Sequence, residues 1–157
     1  METHEDILAA LPLFKGLKPE QIRQIAACAE TAQYEAGQFL GREGEPAESF
    51  WVVRQGHIAL ETHAPARGPL TLQTVSTDDV IGWSWLIPPH RWLFDAHVVE
   101  DTSAVVFDGT CLRGKCDADP VLGYALLQRV AQVMLSRLQA ARVRLLDLYG
   151  VPGASSR

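Results

Sequence analysis

The sequence predicts a mainly β domain with flanking helices, in which an all-β sandwich or roll is followed by one long C-terminal helix. The first observation is a run of short segments over 31–108, rich in β-branched and aromatic residues and separated by Gly and Pro, which is the pattern of many short strands. The second is helical patterning on both sides of this run, over 4–29 and 110–149. The third is size, because 157 residues with 47% hydrophobic content suit a single domain, here 1–149, with a substantial core.

The region before the strands begins with a short apolar segment from Ile7 to Phe14. A helix is expected to open at Pro19, because a proline at the first helical position lacks only an N–H that would have no partner there. This helix is expected to end near Ala29, and four apolar residues at helical spacing give it one apolar face. They are Ile22, Ile25, Ala26 and Ala29.

Seven candidate strands follow, and turn signals such as Ala36-Gly37 and Gln55-Gly56 separate them. Each strand is short and carries β-branched or aromatic residues, as expected of a half-buried sheet. The seven are 31–34, 38–40, 49–54, 57–63, 70–75, 93–99 and 103–107.

The chain turns helical again after Asp108. A short helix is expected over 111–117, and a long one opens with Asp119 as its N-cap and Pro120 at its first position. Because no further Pro or Gly occurs before Gly150, this helix is expected to run for about 30 residues, or roughly 45 Å. Residues 150–157 are expected to form a flexible tail.

The long helix carries an apolar seam with spacings that alternate between three and four, which is the heptad pattern of a coiled coil. A second apolar set, containing Leu122, Leu126, Val130 and Val133, lies on a neighbouring face. Two apolar faces favour one neighbour in the same domain and a second copy of the helix, and hence a homodimer. The alternative is one wide apolar face buried within a single domain. The seam is Tyr124, Leu127, Ala131, Met134, Leu138, Ala141, Leu145 and Leu148.

Composition limits the partners and the compartment. A formal net charge of −5 disfavours a nucleic-acid-binding surface, since binding to phosphate backbones needs clustered Lys and Arg. A helix-turn-helix module would need a few dozen residues after Gly150 and only seven follow, so no DNA-binding domain is expected and any signal would pass to a partner protein. The sequence contains neither an apolar run long enough to span a membrane nor an N-terminal secretory pattern, so we expect a cytoplasmic protein.

Three cysteines form an odd set in such a chain, so all three are expected to be reduced structural thiols. A redox switch or a thiol–metal site is the alternative. The three are Cys28, Cys111 and Cys116.

Several motifs resemble those of cyclic-nucleotide-binding domains, over roughly residues 7–149. The stretch 34–60 carries a Gly before the second strand, a Glu43-Gly44 turn and an aromatic-rich strand that ends at Gly56. Residues 11–17, Leu-Pro-Leu-Phe-Lys-Gly-Leu, resemble the family's N-terminal entry. The opening of the long helix is similar to the dimerising helix of the bacterial catabolite-activator and fumarate-nitrate-regulator (Crp/Fnr-like) branch. The resemblance implies a double-stranded β-roll of the jelly-roll kind, a sensor function and homodimerisation.

The phosphate-binding cassette of that family departs from its usual pattern here. In the family, a Gly-Glu pair supplies a ribose acceptor, and an Arg before small residues pairs with the cyclic phosphate. Here Gly82 is kept, Trp83 stands in place of the Glu, and Phe94 stands in place of the Arg, while Arg91 lies three residues earlier. Cyclic AMP or cyclic GMP binding is therefore expected to be weakened or lost.

Three interpretations of the cassette region remain open. The aromatic side chains form a pocket for a planar or apolar ligand, or they fill the old pocket and leave a structural, scaffolding dimer, or Arg91 and backbone N–H groups still hold a small anion. An ion pair between Arg91 and Asp95 would explain both residues without a ligand. The candidate ligand-binding residues are Gly82, Trp83, Ser84, Trp85, His90, Arg91, Trp92, Phe94 and Asp95.

A metal-dependent enzyme is the remaining alternative to weigh. His57, Glu61 and His63 share one face of a strand by period two, and two His with a Glu would suit a metal. Ile58 and Leu60 make the better core-facing set, however, which turns the histidines to solvent. The spaced His and Glu pattern of metal-binding β-rolls and the common catalytic motifs are missing, so neither metal, cofactor nor enzymatic activity is expected.

Overall fold

The computed structural model describes residues 2–150 of the chain, and a sheet of six strands with helices at both ends is its framework. The expected tail residues 151–157 lie outside the described part. The helices are α1 (His4–Ala10), α2 (Pro19–Ala26), α3 (Gly109–Ala118) and α4 (Pro120–Leu148). The strands are β1 (Ala29–Tyr34), β2 (Phe39–Gly41), β3 (Ser49–Ala64), β4 (Gly68–Val75), β5 (Val80–Ile81) and β6 (Asp95–Asp108).

Local sequence explains the N-terminal helices. The Thr3 hydroxyl accepts from the backbone N–H of Asp6 and the Asp6 carboxylate accepts from that of Thr3, a capping box that starts α1. The second helix begins at Pro19 as expected, but it ends at Ala26. The expected end near Ala29 is wrong, because Ala29 is the first residue of β1 and pairs with Phe107 of β6.

Two long strands hold the antiparallel sheet together. Its main order is β1-β6-β3-β4, with β2 paired to β6 and β5 to β3. The sequence predicts a turn between two strands at Gln55-Gly56. The structure instead shows one continuous strand, β3, with register shifts at this point. The expected separate strands over 93–99 and 103–107 likewise form a single β6. The two-residue strand β5, which was not expected, pairs with Trp51 and Val52 of β3.

The sheet separates two hydrophobic cores, because successive side chains of a strand point to opposite faces. On the outer face Phe50 and Val52 of β3 pack with the helices. On the inner face Trp51, Val53 and Ile58 pack inside the roll. The predicted β-roll is therefore confirmed, with a core on each side of β3.

The two C-terminal helices follow the predicted pattern. The Asp119 carboxylate accepts from the backbone N–H groups of Val121 and Leu122 at 3.2 and 3.3 Å, which satisfies free donors at the start of α4. The first half of α4 buries Leu122, Leu126 and Val130, and the first two belong to the outer core. Over the described residues, no helix is both long and apolar enough to cross a membrane.

The expectation of three free thiols is wrong for two of them. Cys28 and Cys111 are joined by a disulfide with a Cα–Cα distance of 5.7 Å. They are 83 residues apart in the chain, so only the fold, which sets the start of β1 beside α3, brings them together. Cys116 is free, and burial, with help from Asp117 and Asp119, raises the pKa of its thiol.

Candidate ligand cleft

The cassette begins with a left-handed turn at Gly82. Its φ of 89° is a conformation that side chains with a Cβ rarely adopt, and an added Cβ would lie 3.1 Å from the Ser49 carbonyl oxygen. The turn leads directly into a short 3₁₀ helix over Trp83–Trp85. Residues two apart on this turn point in different directions, which divides the two tryptophans.

Trp85 belongs to the outer core. Its side chain is 1% exposed and stacks on Phe50 with ring centroids 5.1 Å apart. Arg113 of α3 donates to the Trp85 carbonyl oxygen. This tryptophan therefore anchors the cassette to the helical layer and lies away from any ligand.

Trp92 belongs to the inner core. It packs 5.7 Å from Trp51, centroid to centroid, and covers Gly41 so closely that a Cβ there would lie 2.0 Å from its ring. Because Gly41, the last residue of β2, has no side chain, it leaves the space into which the Trp92 indole fits. Trp92 fills the roll, as the second interpretation of the cassette expects.

Trp83 and Phe94 line a cleft between the sheet and α4. Their rings meet edge to face at 6.1 Å, and both side chains are half-buried. The cleft holds about 420 Å³, a volume suited to a small organic molecule. Its lining is Leu60, Leu72, Gln73, Trp83, Phe94, Arg137, Ala140, Ala141, Arg144, Leu145 and Leu148.

The predicted polar residues of the pocket lie elsewhere. Arg91 is exposed, and its Nη1 donates to the Gly44 carbonyl oxygen at 3.2 Å. Buried Asp95 accepts from the Glu43 backbone N–H at 2.8 Å and lies 3.5 Å from Nδ1 of His63. The ion pair considered between Arg91 and Asp95 is therefore not formed among the described residues. Ser84 and His90 are half-buried on the cassette loop, outside the cleft lining.

Arg137 of α4 lies in the cleft, whose other polar lining residues are Gln73 and Arg144. Its guanidinium lies over the Trp83 ring, 4.7 Å from the centroid, and its Nη2 donates to the Val80 carbonyl oxygen. Its Nη1 is buried without a hydrogen-bond partner, and Arg137 forms no ion pair among residues 2–150. Burial lowers the pKa of Arg137 to about 10, and nearby Asp79 opposes this effect.

Arg137 is not among the pocket residues predicted from the sequence. The signal that could have singled it out is a cation on α4 flanked by apolar positions on both sides, Val133 and Ala141 one turn away among them. A second arginine, Arg144, lies two turns further along and donates to the Thr71 carbonyl oxygen at 3.4 Å. Both arginines therefore connect α4 to the sheet.

The predicted seam of α4 is exposed in the single chain. Tyr124 is 64%, Leu138 67% and Leu148 83% exposed, whereas the neighbouring face is buried in the outer core. Ala141, Leu145 and Leu148 belong to the seam and also line the cleft. The seam and the cleft therefore meet along the second half of α4.

The candidate metal residues do not converge. His57 and His63 are turned to solvent as expected, with side chains 49% and 60% exposed. His57 pairs with Glu100 at 2.6 Å, and Glu61 pairs with His97 at 3.4 Å. Within the described residues no group of three or more His, Cys, Asp or Glu side chains is placed to hold a metal ion.

Comparison with known proteins bears on this arrangement. The family model for the cyclic nucleotide-binding domain matches residues 31–119, which is more than half of the chain. This chain belongs to the cyclic nucleotide-binding domain family. The match begins within β1 and ends at the N-cap of α4, so it contains all of the sheet but the first two residues of β1, together with the cassette.

One relative of the domain is a transcriptional regulator. A CRP-like cAMP-activated global transcriptional regulator from Mycobacterium tuberculosis is 24% identical over 151 residues, which cover 95% of this chain and 66% of the regulator. The chain therefore spans just under two thirds of that relative's length. The predicted resemblance to Crp/Fnr-like proteins is confirmed, and the chain is a regulatory cyclic nucleotide-binding domain.

Solved structures share the fold. A cyclic nucleotide-binding domain from Methylobacillus flagellatus superimposes with a TM-score of 0.77 at 20% identity, covering 90% of this chain and 80% of that one. The sensor domain of the transcriptional regulator DNR from Pseudomonas aeruginosa gives a TM-score of 0.68 at 19% identity, covering 87% and 91%. The agreement extends over sheet and helices, so the predicted fold class is confirmed by these structures as well.

Proposed function

We propose that this domain is a non-catalytic ligand sensor that dimerises through α4 and in which the usual recognition of cyclic AMP or cyclic GMP is weakened or lost. The observation that carries the proposal is the pair Trp83 and Phe94, which stand in the cassette where the family pattern has a Glu and an Arg, and which line an open cleft against α4. A cleft of this size beside the dimer helix supports ligand sensing. A cytoplasmic location stays a prediction from the sequence.

The energetic argument concerns the two replaced residues. A hydrogen bond to a charged group contributes about 1.5–3 kcal/mol, so losing both the ribose acceptor and the phosphate anchor raises the dissociation constant roughly a hundredfold to ten-thousandfold. The exposed Arg91, bonded to the Gly44 carbonyl oxygen, points away from the cleft and offers the cyclic phosphate no substitute there.

The dimer is supported by the exposed seam of α4. A single chain leaves Tyr124, Leu127 and Leu138 in water at 64%, 46% and 67% exposure, although they repeat with heptad spacing. Apolar residues at such positions are normally covered by a second helix. We infer that this second helix is α4 of another copy, and that a partner protein receives the signal through the dimer.

The test is a thermal-shift screen of the purified chain with cyclic AMP, cyclic GMP, other nucleotides and small planar ligands. A ligand at a hundred times its dissociation constant stabilises a domain by about 2.7 kcal/mol, so a true ligand gives a clear shift. We expect a shift from a planar or anionic ligand and little from either cyclic nucleotide at micromolar concentration. A large shift with micromolar cyclic AMP would overturn the proposed loss of nucleotide recognition.

A scaffolding dimer is the second candidate, and the placement of Trp85 and Trp92 favours it. Both indoles are at most 5% exposed and act as core residues, so part of the cassette has become structural. A scaffold needs the seam but not the cleft. A flat response to every ligand in the screen, together with a stable dimer, would decide for this function.

A further inference from the structure

We propose that the cleft binds an amphipathic organic anion, and that its anionic anchor is Arg137 on α4 instead of a residue of the cassette. This inference rests on the proposed sensor function and names the ligand class for the same cleft. The anion would be a carboxylate, sulfonate or phosphate that carries a flat or apolar body. Its charged end would meet the guanidinium beside Trp83.

Arg137 has a buried hydrogen-bond donor without an acceptor, and this makes it the expected anchor. A guanidinium carries five N–H donors and no acceptor, and here Nη2 reaches the Val80 carbonyl oxygen while Nη1 is buried without a partner. Burying a cation away from water is unfavourable unless an anion or hydrogen-bond acceptors compensate it. Asp79 is the nearby acid, and its Oδ2 already accepts from the Ser76 backbone N–H at 2.9 Å. An incoming anion would supply the missing acceptor.

The body of the ligand is argued from the rest of the lining. Leu60 and Leu72 come from the sheet, Phe94 comes from the loop directly before β6, and Leu145 and Leu148 come from α4. Trp83 contacts both the guanidinium and the edge-to-face ring of Phe94. Such walls favour a planar or aliphatic group over a ribose, whose hydroxyls would lose their water with only Gln73 and Arg144 as further polar side chains in the lining.

The position of the anchor also couples the ligand to the dimer. Arg137 directly precedes Leu138 of the seam, and Ala141 is shared by seam and cleft. A ligand that draws Arg137 towards the cleft therefore acts on the helix that carries the dimer contacts. A ligand anchored by the cassette would act on α4 only indirectly.

The experiment uses two fluorescent probes that differ in one group. The anionic probe is 8-anilinonaphthalene-1-sulfonate, and N-phenyl-1-naphthylamine is the same ring system without the sulfonate. Each is titrated against the wild-type chain, Arg137→Gln and the control Arg142→Gln, which removes an exposed arginine of the same helix. We expect Arg137→Gln to weaken the anionic probe about tenfold to a hundredfold and the neutral probe less than twofold, and Arg142→Gln to change neither.

Two results would overturn the inference: an unchanged affinity of the anionic probe for Arg137→Gln, or an equal loss for both probes, which would mean that the cleft had collapsed. If Arg137→Gln does not fold, displacement from the wild-type chain replaces it. There 1-naphthoate should displace the anionic probe at a concentration at least tenfold lower than 1-naphthol, and equal displacement would count against an anion anchor. A monomeric chain or strong cyclic AMP binding would instead contradict the proposed function. Failure of the anion anchor and failure of the proposed function are therefore distinguishable.

Discussion

Replacing Arg137 by methionine is expected to stabilise the unliganded domain. Methionine keeps an unbranched chain of similar length, so it fills the space between Trp83 and α4 without a charge. A buried ion that lacks a good partner is often less favourable than an apolar residue of the same volume. The expected effect is therefore opposite in sign to that of an ordinary core substitution.

The magnitude follows from the shifted pKa. Burial lowers the pKa of Arg137 from its ordinary value to about 10, so the folded state disfavours the charged guanidinium by about 3 kcal/mol. Methionine gives up the contact with the Trp83 ring, about 1 kcal/mol, and leaves the Val80 carbonyl oxygen without this donor, about 1 kcal/mol more. The free energy of unfolding should therefore rise by about 1–2 kcal/mol.

The assay is urea denaturation at neutral pH, with Arg142→Met as the matched control, for which a change within about 0.5 kcal/mol is expected because that side chain is exposed. The folded pKa of Arg137 lies below the unfolded one, so the folded state binds fewer protons between these values. The penalty is complete below about pH 10 and falls as the pH rises towards the pKa of Arg137 in the unfolded chain. The difference in the free energy of unfolding between Arg137→Met and the wild-type chain should therefore narrow over this pH range. A loss of stability in Arg137→Met at neutral pH would refute the reasoning.

Two further predictions concern the dimer and the disulfide. Leu138→Glu should raise the dimer dissociation constant at least about a hundredfold, because it removes an apolar contact from each copy and puts a carboxylate into the seam. The control Gln139→Glu adds the same charge beside the seam and should leave the dimer intact. Sedimentation of the wild-type chain as a monomer at micromolar concentration would contradict the dimer seam. Reduction of the Cys28–Cys111 disulfide should lower the free energy of unfolding by up to about 4 kcal/mol, since it closes a loop with 83 residues of separation. Cys116→Ser should leave this redox effect unchanged, and equal urea midpoints with and without dithiothreitol would contradict the stabilising role.

The elements of the fold could be predicted because their signals are local. Proline at 19 and 120 and the Asp119 cap fix helix starts, and the β-branched and aromatic residues within 49–54 indicate a strand. The continuity of β3 could not be predicted, because glycine marks both turns and bulges. At Gly56 the φ of 117° accompanies a register shift within the strand, and the deciding factor is the pairing with β6, more than 40 residues away in the chain.

The cassette shows a different kind of limit. Four aromatic residues within twelve positions predict one aromatic pocket, yet Trp85 lies in the outer core, Trp92 in the inner core, and only Trp83 and Phe94 face the cleft. The 3₁₀ turn after Gly82 sends neighbouring side chains to different layers, and sequence spacing in a loop does not encode that direction. The disulfide escaped prediction for a related reason, since its two halves become neighbours only through the fold.

The proposed role of Arg137 depends on both faces of α4 at once. Three residues, Ala141, Leu145 and Leu148, belong to the seam and to the cleft, so a molecule in the cleft changes the surface that a second copy of α4 would meet. Linkage makes this coupling reciprocal: a ligand that tightens the homodimer tenfold through its two clefts must bind each cleft of the dimer about threefold more tightly than the monomer. Moving the anion anchor from the cassette to α4 shortens the path between ligand and dimer to a single helix. A cassette that has lost its charged pair would thereby still serve a sensor, with the helix as both receptor and output.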